Sequence, residues 1–322
     1  MAYYLITQKL SIEMQIKTRT AVLLCSYNGS QYIRQQIDSI INQTEKEWTV
    51  FVSDDGSTDG TLDILQYYQE KLGSERFVII NGPGKGFAWN FLSLLEKCGD
   101  AFDYYAFSDQ DDEWMPDKLA RSISALSGYS HNVPSVYCGR TRLIDENGHH
   151  LGESPLFSKP PSFKNALIQS IAGGNTMVLN RTARNIINKT PRDVLIISHD
   201  WWIYIVITAV DGHIYYDSKP AINYRQHTNN IVGSNLGWIA RFKRIGGLLD
   251  GHFKKWIDAN LYALSKADIN VAPEKKVILD RFNDARSSNL FKRLYIFRKL
   301  DMYRQTFLGT LGLYVAIFLK KL

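Results

Sequence analysis

The chain has 322 residues, 45% of them hydrophobic and 22% charged, with a formal charge of +6 at neutral pH. That is more than one compact core usually absorbs, and the apolar share supplies a substantial core, so one large domain plus a C-terminal appendage is expected. Cys25, Cys98 and Cys138 are odd in number, widely spaced and outside any metal-binding pattern, which fits a reducing compartment and excludes a disulfide framework.

The opening Met1-Ala2-Tyr3-Tyr4-Leu5 lacks the basic lead and long apolar run of a secretory signal, so residues 1–19 read as an extension ahead of the first strand. TAVLLCS, from Thr20 to Ser26, is a continuous apolar run of the kind found in buried parallel strands. Residues 31–42 then place Ile33, Ile37, Ile40 and Ile41 on one helical face. A second strand is expected from Trp48 to Ser53, followed by a helix capped by Thr58 or Asp59 with Leu62, Ile64, Leu65 and Tyr68 inward. A third strand over Phe77 to Asn81, a glycine-rich loop over 82–86 and a helix over Phe87 to Lys97 lead to a fourth strand ending at Ser108. This β-α-β-α-β-α-β alternation argues for an α/β, doubly wound sheet. Further on, the pattern predicts a helix over 116–126, strands over 134–141, 177–180 and 212–217, and a helix over 196–210, with a proline-bearing loop at 154–162.

Two acidic segments about fifty residues apart, VSDDGSTDG after the second strand and FSDQDDEW after the fourth, stand out. Both follow strands, so their carboxylates gather at the strand ends where an open α/β sheet presents its ligand crevice. Carboxylates that close want a cation, because burial without one shifts their pKa values until they take up protons. On an extended strand end Asp109 and Asp111 would face one object, with Asp112 facing elsewhere. Mg²⁺ or Mn²⁺ carrying a diphosphate suits that pair. A calcium loop does not fit, since Trp114 stands where its glycine is required. A solvated turn that caps the next helix is the plainer reading of an isolated cluster. Asp55 sits where a carboxylate can accept from a nucleobase or ribose, and Tyr27 offers a face for a base or serves as a core aromatic.

CSYNGSQYIRQQIDSIINQT, WTVFVSDDGSTDGT and FSDQDDEWMPDKL, in that order, resemble the nucleotide-sugar domain of bacterial family 2 glycosyltransferases over about residues 20–232. The resemblance implies a GT-A fold, a Rossmann-like mixed sheet, and a metal-dependent inverting enzyme. It implies base stacking at Tyr27, base hydrogen bonding at Asp55, ribose contact at Asp109 and metal ligation at Asp111. Lys85 and Asn90 match a donor-binding loop. Asp200, in SHDWW, matches the general base, and it also suits an N-terminal helix cap. Trp201 and Trp202 are expected to line a sugar pocket, and Gly173, Gly174 and Asn175 to form an acceptor loop, although a tight turn explains those glycines equally. Arg225 and His227 match the segment that closes on the donor, Arg225 toward phosphate and His227 toward the metal. The rhamnosyltransferase-like subgroup is nearest in pattern, which implies dTDP-L-rhamnose as donor and a saccharide or lipid-linked acceptor in O-antigen, capsule or cell-wall polysaccharide synthesis. A UDP-hexose donor stays open. A nucleotidyltransferase and a non-catalytic binding protein are the rival classes.

From residue 237 onward 17 Lys and Arg stand against 7 Asp and Glu, so the basic charge is concentrated in a C-terminal region of helical segments. The expected division is thus an extension at 1–19, a catalytic domain at 20–236 and a basic helical region at 237–322. TFLGTLGLYVAIFL, Thr306 to Leu319, has 14 residues, short of a membrane span. It reads either as an interfacial helix on anionic lipid, giving peripheral membrane contact, or as a packed helix or oligomer contact. No nucleic-acid motif is present, and the expected location is cytoplasmic, at the inner face of the membrane.

Overall fold

The computed structural model describes residues 18–227 and 251–322. Its centre is a seven-stranded sheet in the order β10-β6-β9-β4-β1-β2-β3. β1 (Thr20–Ser26), β2 (Trp48–Asp54), β3 (Phe77–Asn81) and β4 (Tyr104–Ser108) are parallel, with Ser26 opposite Asp54 and Leu24 opposite Ser108. β9 (Val178–Asn180) runs antiparallel between β4 and β6 (Ser135–Gly139), and β10 (His213–Asp217) closes the far edge parallel to β6, so the sheet is mixed.

Alternation along β1 divides the core. Val22 and Leu24 point to one layer with α1 (Ile33–Ile41), α2 (Thr61–Leu72) and α4 (Lys118–Ser127). Ala21, Leu23 and Cys25 point to the other, which holds α3 (Phe87–Lys97), α5 (Phe163–Ala166), α6 (Arg181–Ile187) and α7 (His199–Ala209). Beyond Asp200 in its first turn, α7 is largely apolar and buried along its length, as an inner helix should be. Four more helices, α8 (His252–Lys266), α9 (Pro273–Ser287), α10 (Leu290–Leu300) and α11 (Phe307–Phe318), contribute Phe253, Ile257, Phe282, Phe297 and Leu313 to that same layer. They also bond to the sheet domain: Ala272 N–H donates to the Ala209 carbonyl at 2.9 Å, and Lys275 pairs with Asp211 at 2.8 Å. The boundary expected at 233–237 lies outside the described residues.

A second, four-stranded sheet was not legible in the sequence: β5 (Glu113–Trp114), β11 (Ile222–Arg225), β7 (Arg142–Ile144) and β8 (His150–Glu153), in that order. It ties the segment after the second acidic motif to Arg225, more than a hundred residues on. The helix expected to be capped by Thr58 or Asp59 starts instead from Gly60 at φ 87°, with no side-chain cap. Asp59 bonds to Thr61 N–H at 3.2 Å and to Ser30 N–H at 3.0 Å, joining two loops.

Candidate active site

Because β1, β2 and β4 are parallel neighbours, the loops that follow them meet at one edge of the sheet. Tyr27 N–H donates to Gln110 Oε1 at 2.8 Å, and Gln110 Nε2 returns a bond to the Tyr27 carbonyl at 3.0 Å. A Cβ on Gly29 would lie 2.2 Å from Gln110 Oε1, so this close approach needs glycine. Tyr27 is 59% exposed, which leaves its side chain open to stacking.

The first acidic segment is satisfied by its own surroundings. Asp54, buried, accepts from Ser26 Oγ, Ser57 Oγ and the N–H groups of Gly56 and Ser57, which shapes the turn. Asp55 points the other way, and its Oδ1 accepts from Gly84 N–H at 2.6 Å, holding the loop that carries Lys85. Lys85 is exposed on that loop. Desolvation pushes the Asp59 carboxyl up, but hydrogen bonds from Thr61 and Ser30 outweigh it and hold it at about 2.

The second segment is crowded. β4 ends at Ser108 and the chain bends through 109–112, so the alternation of an extended strand does not apply. Asp112 does not face away: one oxygen from each of Asp109, Asp111 and Asp112 lies within 4.8 Å of the others. Burial, then the charges of Asp111 and Asp200, push Asp109 up to about 7 against a smaller pull from Lys118. Burial likewise pushes Asp112 well up, against bonds from Asn175 Nδ2 and the Arg225 N–H. Beneath them lies Lys118, fully buried, with Nζ 2.9 Å from the Asn175 carbonyl and 3.4 Å from the centre of the Trp114 ring. Burial lowers its pKa although Asp112 and Asp109 favour the charge. Sequence reasoning missed Asp112 and Lys118 as parts of the site. The available signal was a lysine in register with Ser122 and Leu126 on the buried face of α4.

His227 Nε2 lies 2.7 Å from Asp111 Oδ2, and its ring packs against Tyr32 at 5.3 Å. Arg225 is not presented to the crevice. Buried to 1% exposure, its guanidinium pairs with Glu113 and bonds Gln35 Oε1 and the carbonyls of Asp111, Asp145 and Glu146. It therefore braces the acidic bend from behind. Asn90 is also buried, exchanging bonds with the Ser53 hydroxyl and carbonyl, which pins α3 to β2 below the Lys85 loop.

On the opposite wall Ser198 occupies the N-cap of α7 and Asp200 lies in its first turn, partly exposed, with Ser170 Oγ 3.4 Å from its Oδ2. His199 is buried among Phe87, Phe91 and Phe107, 4.2 Å from the Phe91 ring centre, and burial lowers its pKa to about 4. Its Nε2 sits 2.0 Å from where a Cβ on Gly174 would be, which explains that glycine. Gly173 is exposed, whereas Asn175 is buried and holds Asp112. Trp201 and Trp202 depart from expectation. Both lie in the core, with indole N–H groups on the Ala166 carbonyl at 2.7 Å and Thr190 Oγ1 at 2.8 Å, so neither presents a face to a sugar. Past its first turn α7 is covered on every side, which buries both.

Residues 21–186 match the family described as Glycosyl transferase family 2. The chain belongs to that family. It is 31% identical over 259 residues to the dTDP-rhamnosyl transferase RfbG of Shigella flexneri, covering 75% of this chain and 84% of that protein. It is 30% identical over 165 residues to the putative teichuronic acid biosynthesis glycosyltransferase TuaG of Bacillus subtilis (strain 168), covering 51% of this chain and 63% of that protein. In structure it resembles S. aureus TarS 1-349 in complex with UDP-GlcNAc, at a TM-score of 0.55 and 17% identity, covering 88% of this chain and 80% of that one. The mixed sheet with its helical C-terminal region is thus the GT-A fold of a family 2 glycosyltransferase.

A divalent cation suits the acidic bend of this glycosyltransferase. The cluster offers only hard oxygen ligands, and burial, then the charges of Asp111 and Asp200, raise the pKa of Asp109, a cost that a cation relieves.

Proposed function

We propose that the protein is an inverting, metal-dependent rhamnosyltransferase acting in cell-surface polysaccharide biosynthesis. dTDP-L-rhamnose is the donor, and the acceptor is a saccharide, carried on lipid at the cytoplasmic face of the membrane. The observation that carries this reading is the convergence of Asp109, Asp111 and Asp112 at one strand edge, with the charge of Asp200 reaching Asp109 from the opposite wall. The similarity to a dTDP-rhamnosyl transferase over most of both chains supports the donor.

Tyr27 stacks on the base, Asp55 accepts from it and Asp109 approaches the ribose. Asp111 and His227 hold Mg²⁺ or Mn²⁺, which when bound neutralises charge on the departing nucleoside diphosphate. Lys85, exposed on its loop, reaches the diphosphate. Asn90 and Arg225 act on the donor through the loops they brace, and Trp201 and Trp202 act on the acceptor side only as the floor beneath Asp200. Gly173, Gly174 and Asn175 form the acceptor-side wall.

Asp200 takes the proton from the acceptor hydroxyl as its oxygen bonds to the anomeric carbon. The bond from that carbon to the diphosphate oxygen breaks on the opposite face, and its electrons leave with the nucleotide. Configuration inverts.

The test is a panel of dTDP-rhamnose, UDP-glucose, UDP-galactose and GDP-mannose, each with Mn²⁺ or Mg²⁺, scored for thermal stabilisation and donor hydrolysis. A response to dTDP-rhamnose alone is expected. A response confined to a UDP-sugar would replace the donor, and silence across the panel would count against the catalytic reading.

A further inference from the structure

An outward-facing helix of a water-soluble domain normally carries polar residues on its free side. α11 does not. Its inner side is formed by Leu313, Ala316 and Ile317. Its outer side presents Phe307, Leu308, Leu311, Val315, Phe318 and Leu319, all exposed, with Phe307 at 81%. At about 100° per residue these six fall within an arc of roughly 120°, opposite the buried three. Thr306 caps the helix by accepting from Gly309 N–H at 3.1 Å, so the stripe belongs to a formed helix.

The preceding helix repeats the pattern with charge added. α10 buries Arg293, Phe297 and Leu300 and exposes Phe291, at 85%, and Tyr295. Arg298 and Lys299 share that outer arc and are exposed, with the Lys299 ammonium 5.9 Å from the Tyr295 ring centre, while Lys292 on the same arc pairs with Asp284 at 2.9 Å. The inner sides meet where Arg293 Nη1 donates to the Ile317 carbonyl at 3.2 Å. Lys320 is exposed just past the end of α11. From 289 to 322, Asp301 is the one acidic residue against seven Lys and Arg.

We infer that the outer arcs of α10 and α11 form a docking face for an anionic lipid bilayer. Apolar and aromatic side chains enter the boundary between headgroups and acyl chains, while flanking cations meet lipid phosphates. The surplus of positive charge selects lipid over a second copy of this chain, whose matching face would carry the same sign. α11 lies on the bilayer and does not cross it. Its 12 residues span about 18 Å, against about 30 Å of hydrocarbon, and no described helix is long and apolar enough to cross. This inference rests on the proposed reading only in that a lipid-carried acceptor makes such docking useful.

The experiment is co-sedimentation of the full chain with phosphatidylcholine vesicles, with and without phosphatidylglycerol, alongside metal-dependent hydrolysis of soluble dTDP-rhamnose. Binding is expected only when phosphatidylglycerol is present. Leu311→Glu with Val315→Glu should lower partitioning at least tenfold. Arg298→Glu with Lys299→Glu should lower it by about fivefold per charge removed. Both pairs sit on exposed positions and should keep the melting temperature and donor hydrolysis. The inference is overturned if anionic vesicles do not retain the chain, or if the Leu311/Val315 variant binds as well as the original. It is also overturned if that variant instead converts a dimer to a monomer in light scattering. Donor hydrolysis is read without vesicles, so its loss would count against the proposed chemistry and leave the docking result standing.

Discussion

The two acidic segments are alike in composition and opposite in electrostatics. Asp54 and Asp59 each accept from backbone N–H groups and hydroxyls of their own turns, and Asp59 stays ionised down to about 2. Asp109, Asp111 and Asp112 lie on a tight bend facing one another, and Asp109 rises to about 7. Burial and the neighbouring carboxylates, which the available donors do not offset, separate the second segment from the structural turn of the first.

Removing a carboxylate from the crowded segment should cost function most. Asp111→Asn is expected to lower metal-dependent donor turnover by at least about a hundredfold while leaving the fold intact, measurable by Mn²⁺ titration calorimetry and rate. Equal metal affinity in the variant would place the cation elsewhere. Asp200→Asn should keep donor affinity and lose about 10²- to 10⁴-fold in kcat, because the Asp200 side chain bonds to Ser170 and not to the donor-side residues. A change confined to KM would remove Asp200 from proton transfer.

The first segment should answer in stability. Asp54→Ala strips a buried acceptor from Ser26, Gly56 and Ser57 and is expected to cost about 1–3 kcal/mol in urea unfolding.

The last contrast lies in pH dependence. With Asp109 raised from 3.8 to about 7, the metal-free folded state holds a proton that the unfolded chain has released, so its stabilising contribution fades as pH rises through that window. His199 runs the opposite way. Lowered from 6.5 to about 4, it adds stability above 6.5 that is lost as pH falls toward 4. Comparing wild type with Asp109→Asn by melting temperature across this range isolates the first contribution. Its slope should disappear in the variant, and also in wild type saturated with Mn²⁺.

Much of the fold was legible because buried parallel strands are continuous apolar runs and their helices carry one apolar stripe. β1 to β4 and α1 to α3 fell within a residue or two of expectation. The second sheet was not legible, since its strands have two to four residues and pair across long separations. The candidate site was legible as residue types: Tyr27 and Asp55 follow β1 and β2, Asp109 and Asp111 follow β4, and His227 lies 2.7 Å from Asp111. Asn90, Arg225, Trp201 and Trp202 were recognisable as notable residues, but nothing local in the sequence indicated that each would turn inward.

Local order is what the sequence by itself determined: strand and helix periods, acidic loops after strands, and a short apolar stretch flanked by cations. Tertiary structure decided which polar groups meet. Asp112 joins Asp109 and Asp111 because the chain bends after Ser108, and Lys118 sits beneath them because α4 buries the face that carries it. The same holds for α11, whose sequence is apolar on every side. Only packing of Leu313, Ala316 and Ile317 against the protein chose the face left outward, because burial depends on which neighbours arrive, and those come from distant parts of the chain.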